Sequence, residues 1–241
     1  MNTNILTNEP AESFLPKFSF WIALLTAIVT LGTFVTAVLT PPLSGPFCLA
    51  GCFEYPYLDI ASRFPRDYYW MVPAIFVFLL AMVLVICVHH YAEERKKLFS
   101  QAGFAFAILS AGLLVTNYFL QLSVIQPSLL KGETDGISIL SQFNPHGVFI
   151  VLEELGFLLM TLSFFALTPV FSGKRGLQIT LFSGFPLALA ALAIITAVHG
   201  IHREYLFEVA VISISWLQLI IASSLMSVMF FRELKKTAKR A

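Results

Sequence analysis

The sequence predicts an all-α integral membrane protein, a bundle of six transmembrane helices with both termini on the cytoplasmic side. Three observations carry that expectation. Charged residues make up only 12% of the 241-residue chain and apolar ones 58%, where a soluble domain carries about 25% charged residues. Six stretches reach the roughly 20 apolar residues that a helix needs to cross hydrocarbon. The lysines and arginines are unevenly shared between alternate connections. Mean hydropathy is +0.82. Spanning segments must satisfy their own backbone, so the stretches are expected as helices. The strict alternation of a membrane barrel is absent. The chain 1–241 reads as a single polytopic domain.

The first expected span covers 18–40. A polar leader with Lys17 precedes it. Its apolar core exceeds the roughly 7–15 residues of a signal-peptide core, so a retained helix is expected. The connection 41–69, PPLSGPFCLAGCFEYPYLDIASRFPRDYY, combines prolines, aromatics and both charge signs. It is expected to form an ordered cap with a short helix over LDIASRF. Cys48 and Cys52 lie in this loop and Cys87 near a span end. Three cysteines are no disulfide framework. The Cys48/Cys52 pair bridges if its loop faces an oxidising compartment, and is otherwise two free thiols. Arg63 and Arg66 could hold an anionic head group or pair with Asp59 and Asp67.

The second span, 70–90, starts at WMVP, and Trp70, like Trp21, fits an interfacial anchor. His89 and His90 close it beside basic residues. The third, 102–125, places Gly103, Ser110, Leu114, Asn117 and Gln121 on one face by helical spacing. The connection 126–146 is expected as an ordered lid or as a plain connector. The fourth span, 147–171, contains Glu153 and Glu154. The fifth covers 177–198. The sixth, 206–231, has Glu204, Glu208, Val211, Ser215, Gln218 and Ala222 at spacings of four and three. Gly103, Gly112, Gly156 and Gly184 are expected at close helix contacts. No internal repeat is present, which weighs against an inverted-repeat transporter.

With the N-terminus inside, eleven of the fifteen lysines and arginines fall on the inner side and four on the outer. That bias supports cytoplasmic termini. The C-terminal RELKKTAKR reads as a segment facing anionic lipid. A multi-pass protein of the plasma (cell) membrane is expected, with membrane lipids as partners. Net charge is only +1, so no nucleic-acid partner is expected.

Function rests on polar residues at one depth. Glu153 and Glu154 lie about 9–10 Å below Gly147 at 1.5 Å per residue. Asn117, Tyr118, Gln121, His146 and Glu208 fall in the same outer half. Intramembrane ionisable groups are functional by default. Glu154 is rotated about 100° from Glu153, so the two cannot aim at one point. Glu153 is assigned to the cavity because His146, seven residues earlier, shares its face. The ligand-binding candidates are therefore Asn117, Gln121, His146, Glu153 and Glu208. The catalytic candidates are Glu153 and Glu154. HGIHRE supplies an H-x-x-H spacing, so His146, His199 and His202 are the metal-ligand candidates, although the spacing alone arises by chance. No cofactor is indicated.

Adjacent glutamates bring to mind the intramembrane proteases that process prenyl proteins, but their E-E-x-x-x-R pattern is broken by Leu158, and their later histidine motifs are missing. Nucleotide loops, G-x-S-x-G elbows and C-x-x-C pairs are also absent. Three functions stay open. The first is binding or transport of a small amphipathic or lipid-like ligand, with or without proton coupling; the 24 phenylalanines around a few polar groups suit such a pocket. The second is a lipid- or isoprenoid-modifying enzyme using the glutamates, with or without metal. The third is a non-catalytic subunit of a membrane complex.

Overall fold

The computed structural model describes residues 9–40 and 42–240. Helix α1 covers Glu9–Val38, α2 Met71–Tyr91 and α3 Lys97–Leu120. A single π-helical turn, Gln121–Ile125, leads α3 into the short α4, Gln126–Leu130. Then come α5 (Ile137–Leu140), α6 (Val148–Leu167), α7 (Arg175–His199) and α8 (Leu206–Arg240). There is no strand among the described residues. Six helices are long and apolar enough to cross a membrane. The α3–α4 rod is one of them, and α5 is a turn in a connection.

Sequence-adjacent long helices pack side by side, and α1 packs on α8 to close the ring in the order α1, α2, α3, α6, α7, α8. A cross-contact between α6 and α8 makes α6 the centre and pushes α7 outward. The hydroxyls of α1 are hidden within their own helix: Thr26, Thr30 and Thr33 each donate to the carbonyl four residues back, at 2.7, 2.6 and 2.7 Å. This back-bonding satisfies a hydroxyl without any outside partner.

Small residues set the tightest seam. Ser110 Oγ on α3 donates to the Gly156 carbonyl on α6 at 2.7 Å, and Ser163 Oγ on α6 donates to the Gly103 carbonyl on α3 at 2.7 Å. A Cβ at Gly156 would sit 2.5 Å from Leu114 Cγ. On the far side of α6, Gly184 of α7 makes room for Gln218 of α8, whose Nε2 donates to the Thr180 and Leu181 carbonyls at 2.9 and 3.0 Å. Gly112, expected at a close contact, is not at one: a Cβ there would meet nothing within 4 Å. Gly112 is nine residues from the crowded Gly103, which turns it about 180° to the opposite face of α3.

Both long connections lie at one end of the ring and fold together. Ile60 and Phe143 are buried in a small cluster with Ile125, Leu129 and Ile137, and Phe53 packs edge-on against Phe143 with centroids 5.5 Å apart. The second connection is thus an ordered part of a cap. A 3-10 helix, Leu58–Arg63, occupies the LDIASRF region. Cys48 and Cys52 are disulfide-bonded, and Cys87 is a buried free thiol. Arg63 pairs with Asp67 at 2.8 Å, and Arg66 pairs with the same carboxylate. Among the described residues neither arginine pairs with Asp59.

Candidate functional site

A cavity of about 150 Å³ lies beneath this cap, between α1, α3, α6 and α8. Glu153, Glu208, Tyr118, Tyr205, Trp70 and Trp216 line it. Each arrives from a different local rule. Glu153 is one and a half turns into α6, on the face that meets α3 and α8, and is fully buried. The Tyr118 hydroxyl donates to Glu153 Oε1. Tyr118 is itself held by Trp70, edge-on at 5.2 Å, and by Phe149, stacked at 5.7 Å. Glu208 and Trp216 sit eight residues apart on α8, about two turns along the helix.

The second oxygen of Glu153 meets no N–H or hydroxyl donor among the described residues. Glu208 brings a second carboxyl to the same cavity. Two ionised carboxylates side by side in a low-dielectric site would repel each other strongly. Trp216 Nε1 is another buried atom on this wall with no partner among the described residues.

Tyr205, the residue before α8, closes the top. Its hydroxyl meets Ser44 Oγ at 2.6 Å and the Gln142 carbonyl at 3.2 Å. One side chain thus ties both connections to α8. Burial pushes the Tyr205 phenol up from its ordinary value, so it stays protonated and can serve as a donor.

Glu154 opens elsewhere. It lines a second pocket of about 210 Å³ with His146, Arg203 and Glu204, and Arg203 Nη2 pairs with Glu154 Oε2 at 2.6 Å. The guanidinium also lies 5.3 Å from the Phe207 ring centre. Glu153 and Glu154 therefore do not face a common point, and the two-carboxyl arrangement is Glu153 with Glu208. Glu154 is nearly buried and Arg203 is 31% exposed. Losing the cation should cost more than losing the anion, because it strands a desolvated carboxylate. Arg203→Met is expected to lower stability by about 1–2 kcal/mol, discounted for the exposed arginine. Glu154→Gln, which leaves Arg203 able to reach solvent, should cost less than half of that. Denaturant titration of the two purified variants checks the order.

Of the ligand-binding candidates, the structure brings Glu153 and Glu208 together. His146 lies in the second pocket beside Glu154 rather than with Glu153. Its seven-residue spacing from Glu153 spans the start of α6, where the chain is not yet helical. Asn117 Nδ2 donates to the Phe149 carbonyl at 2.9 Å. Gln121 Nε2 donates to the Leu140 carbonyl at 2.6 Å and its Oε1 accepts from the Gln142 N–H at 3.2 Å. Asn117 and Gln121 thus pin the second connection and the start of α6 instead of lining the cavity. His199 and His202 are exposed. Among the described residues no three His, Cys, Asp or Glu side chains gather as a metal site would require. Tyr118, Tyr205, Trp70 and Trp216 were not singled out as site residues. Eight residues on from Glu208, Trp216 is rotated about 80° from it, so helical spacing gave no clear signal for it.

No family model, no curated protein and no solved structure matches this chain.

Proposed function

We propose that the protein is a multi-pass plasma-membrane protein, both termini cytoplasmic, whose capped cavity binds a small amphipathic ligand. The observation that carries this reading is the buried Glu153 and the half-buried Glu208 facing one cavity walled by aromatic rings. Binding sites combine an apolar lining with a few convergent polar groups. A cavity of about 150 Å³ lined by apolar side chains has room for a ligand the size of benzene. The membrane setting draws support from the outward faces of α1 and α7, where Ile28 and Ile194 are 59% and 63% exposed. At the end opposite the cap, Lys174 donates to the Tyr91 hydroxyl and Lys235 lies 4.5 Å from the Phe231 ring centre. Such amphipathic clusters suit a headgroup layer, with lipids as partners. Proton-coupled transport of the same ligand is a second reading, favoured by two carboxyl groups that face one cavity.

The test is mass spectrometry of the purified protein and of Ile212→Trp, which fills the cavity from α8. Wild type should release a small molecule on denaturation that the folded variant lacks. If wild type releases nothing and Ile212→Trp melts at a higher temperature, the cavity is a packing defect and the reading fails.

A further inference from the structure

We infer that the ligand of this cavity is a compact organic ammonium ion, held by the Glu153–Glu208 pair and by the faces of the surrounding rings. The inference rests on the binding reading above and names the chemistry of its occupant.

The charge inventory leads to it. Among the described residues the acidic side chains that reach the cavity are Glu153, Glu208 and Asp67, and no lysine, arginine or histidine lines it. Asp67 is already answered by Arg63 and Arg66. Arg203, two residues before Tyr205, is committed to Glu154 in the other pocket. Glu153 and Glu208 are the lining acids with no basic partner among the described residues. Glu153 is fully buried, and its second oxygen has no hydrogen-bond partner among the described residues. Without a counterion a buried carboxyl keeps its proton. An anionic ligand would oppose its ionisation and a neutral one would not promote it. A monocation supplies the counterion that lets a carboxylate form there, the proton leaving to solvent.

The walls decide which kind of cation. Trp70, Tyr118 and Trp216 present aromatic surface to the same space. Ring faces attract organic ammonium groups, above all quaternary ones. A hard metal ion would need six or more oxygen ligands or retained waters, which an aromatic cage does not supply. The volume, about 150 Å³, fits an ammonium head with a short apolar body and excludes a long-chain lipid.

The experiment uses the full chain in lipid nanodiscs, with tryptophan emission and melting temperature as readouts. Three probes share one compact shape: tetramethylammonium, tert-butanol and pivalate. The ammonium should bind more tightly than the alcohol by about tenfold or more, and pivalate should not bind. The double variant Glu153→Gln/Glu208→Gln, whose amides can still pair, should lose that preference. If the double variant does not fold, Ile212→Trp keeps both acids and fills the space, and it should abolish ammonium binding. Retained binding in Ile212→Trp would place the ammonium elsewhere and overturn the inference. Equal binding of alcohol and ammonium would overturn it while leaving the cavity reading intact. So would no binding of any probe when a neutral molecule co-purifies with wild type. No probe binding and no co-purified molecule would remove both.

Discussion

Gly156→Leu is expected to be among the most damaging single substitutions in the chain. At Gly156 even a Cβ would lie 2.5 Å from Leu114 Cγ and 2.7 Å from Cδ2. Leu114 is fully buried and has nowhere to retreat. Overpacking of this kind costs about 1–3 kcal/mol for modest additions and more for large ones, so leucine should cost about 3 kcal/mol or more. Alanine recovers up to about 1 kcal/mol through its better helix propensity, and should be mildly to moderately destabilising. The damage also reaches the Ser110 bond to the Gly156 carbonyl, because separating the helices breaks it. A double-mutant cycle isolates the contact. Leu114→Ala alone leaves a void, but combined with Gly156→Ala the new methyl enters that void. The double variant should be more stable than the sum of the two changes predicts. Additive effects in detergent unfolding would mean that α3 and α6 are not in contact there.

The second large effect is expected at Tyr205. Its ring lies against the backbone of Gly45, where a Cβ would come within 2.5 Å of the ring, and where the chain has φ +65°. Only glycine accepts both conditions easily. Its hydroxyl joins Ser44 and the Gln142 carbonyl. Truncating a buried aromatic to alanine costs about 3–5 kcal/mol in packed interiors, and here the loss falls on the joint between the two connections and α8. Tyr205→Ala should therefore release the cap while the long helices stay assembled. Hydrogen exchange should accelerate in residues 42–58 and 137–147 and remain slow in α3 and α6. Tyr205→Phe keeps the ring and should cost about 1–2 kcal/mol through the unpaired Ser44 hydroxyl. Uniform acceleration across the chain would show that the cap and the helices unfold as one unit.

The helices were legible because hydrocarbon-length apolar runs have few other solutions. Glu208 was legible as a candidate because helical spacing places it on the inward stripe of α8 with Val211 and Ser215, both buried. The pairing of Glu153 with Glu208 was not. It depends on α6 and α8 touching across the ring, a contact between helices separated in sequence by the whole of α7 that no local pattern encodes. Asn117 and Gln121 show the opposite difficulty. Their depth and face were readable, but whether an amide lines a cavity or ties a loop depends on which carbonyls the second connection brings to it. His146 failed as a guide because heptad spacing is meaningful only inside a helix, and α6 begins at Val148. The aromatic walls were hidden in plain composition. Among so many rings, nothing local marks Trp216 as different from those that face outward.

The π turn at Gln121–Ile125 has a consequence for how the chain could vary. A π turn holds one residue more than an α turn over the same rise, so it amounts to a single inserted residue that the fold has kept. That extra residue lets Gln121 and Gln126, five apart, both point inward, the first to the second connection and the second to the Tyr68 hydroxyl. In a regular α-helix a separation of five turns the second side chain about 140° from the first. The insertion thus acts as a phase shift. Upstream of it α3 keeps step with α6, and downstream α4 keeps step with the cap. The two halves of one rod serve different neighbours, and a change in the length of this turn would force a choice between them.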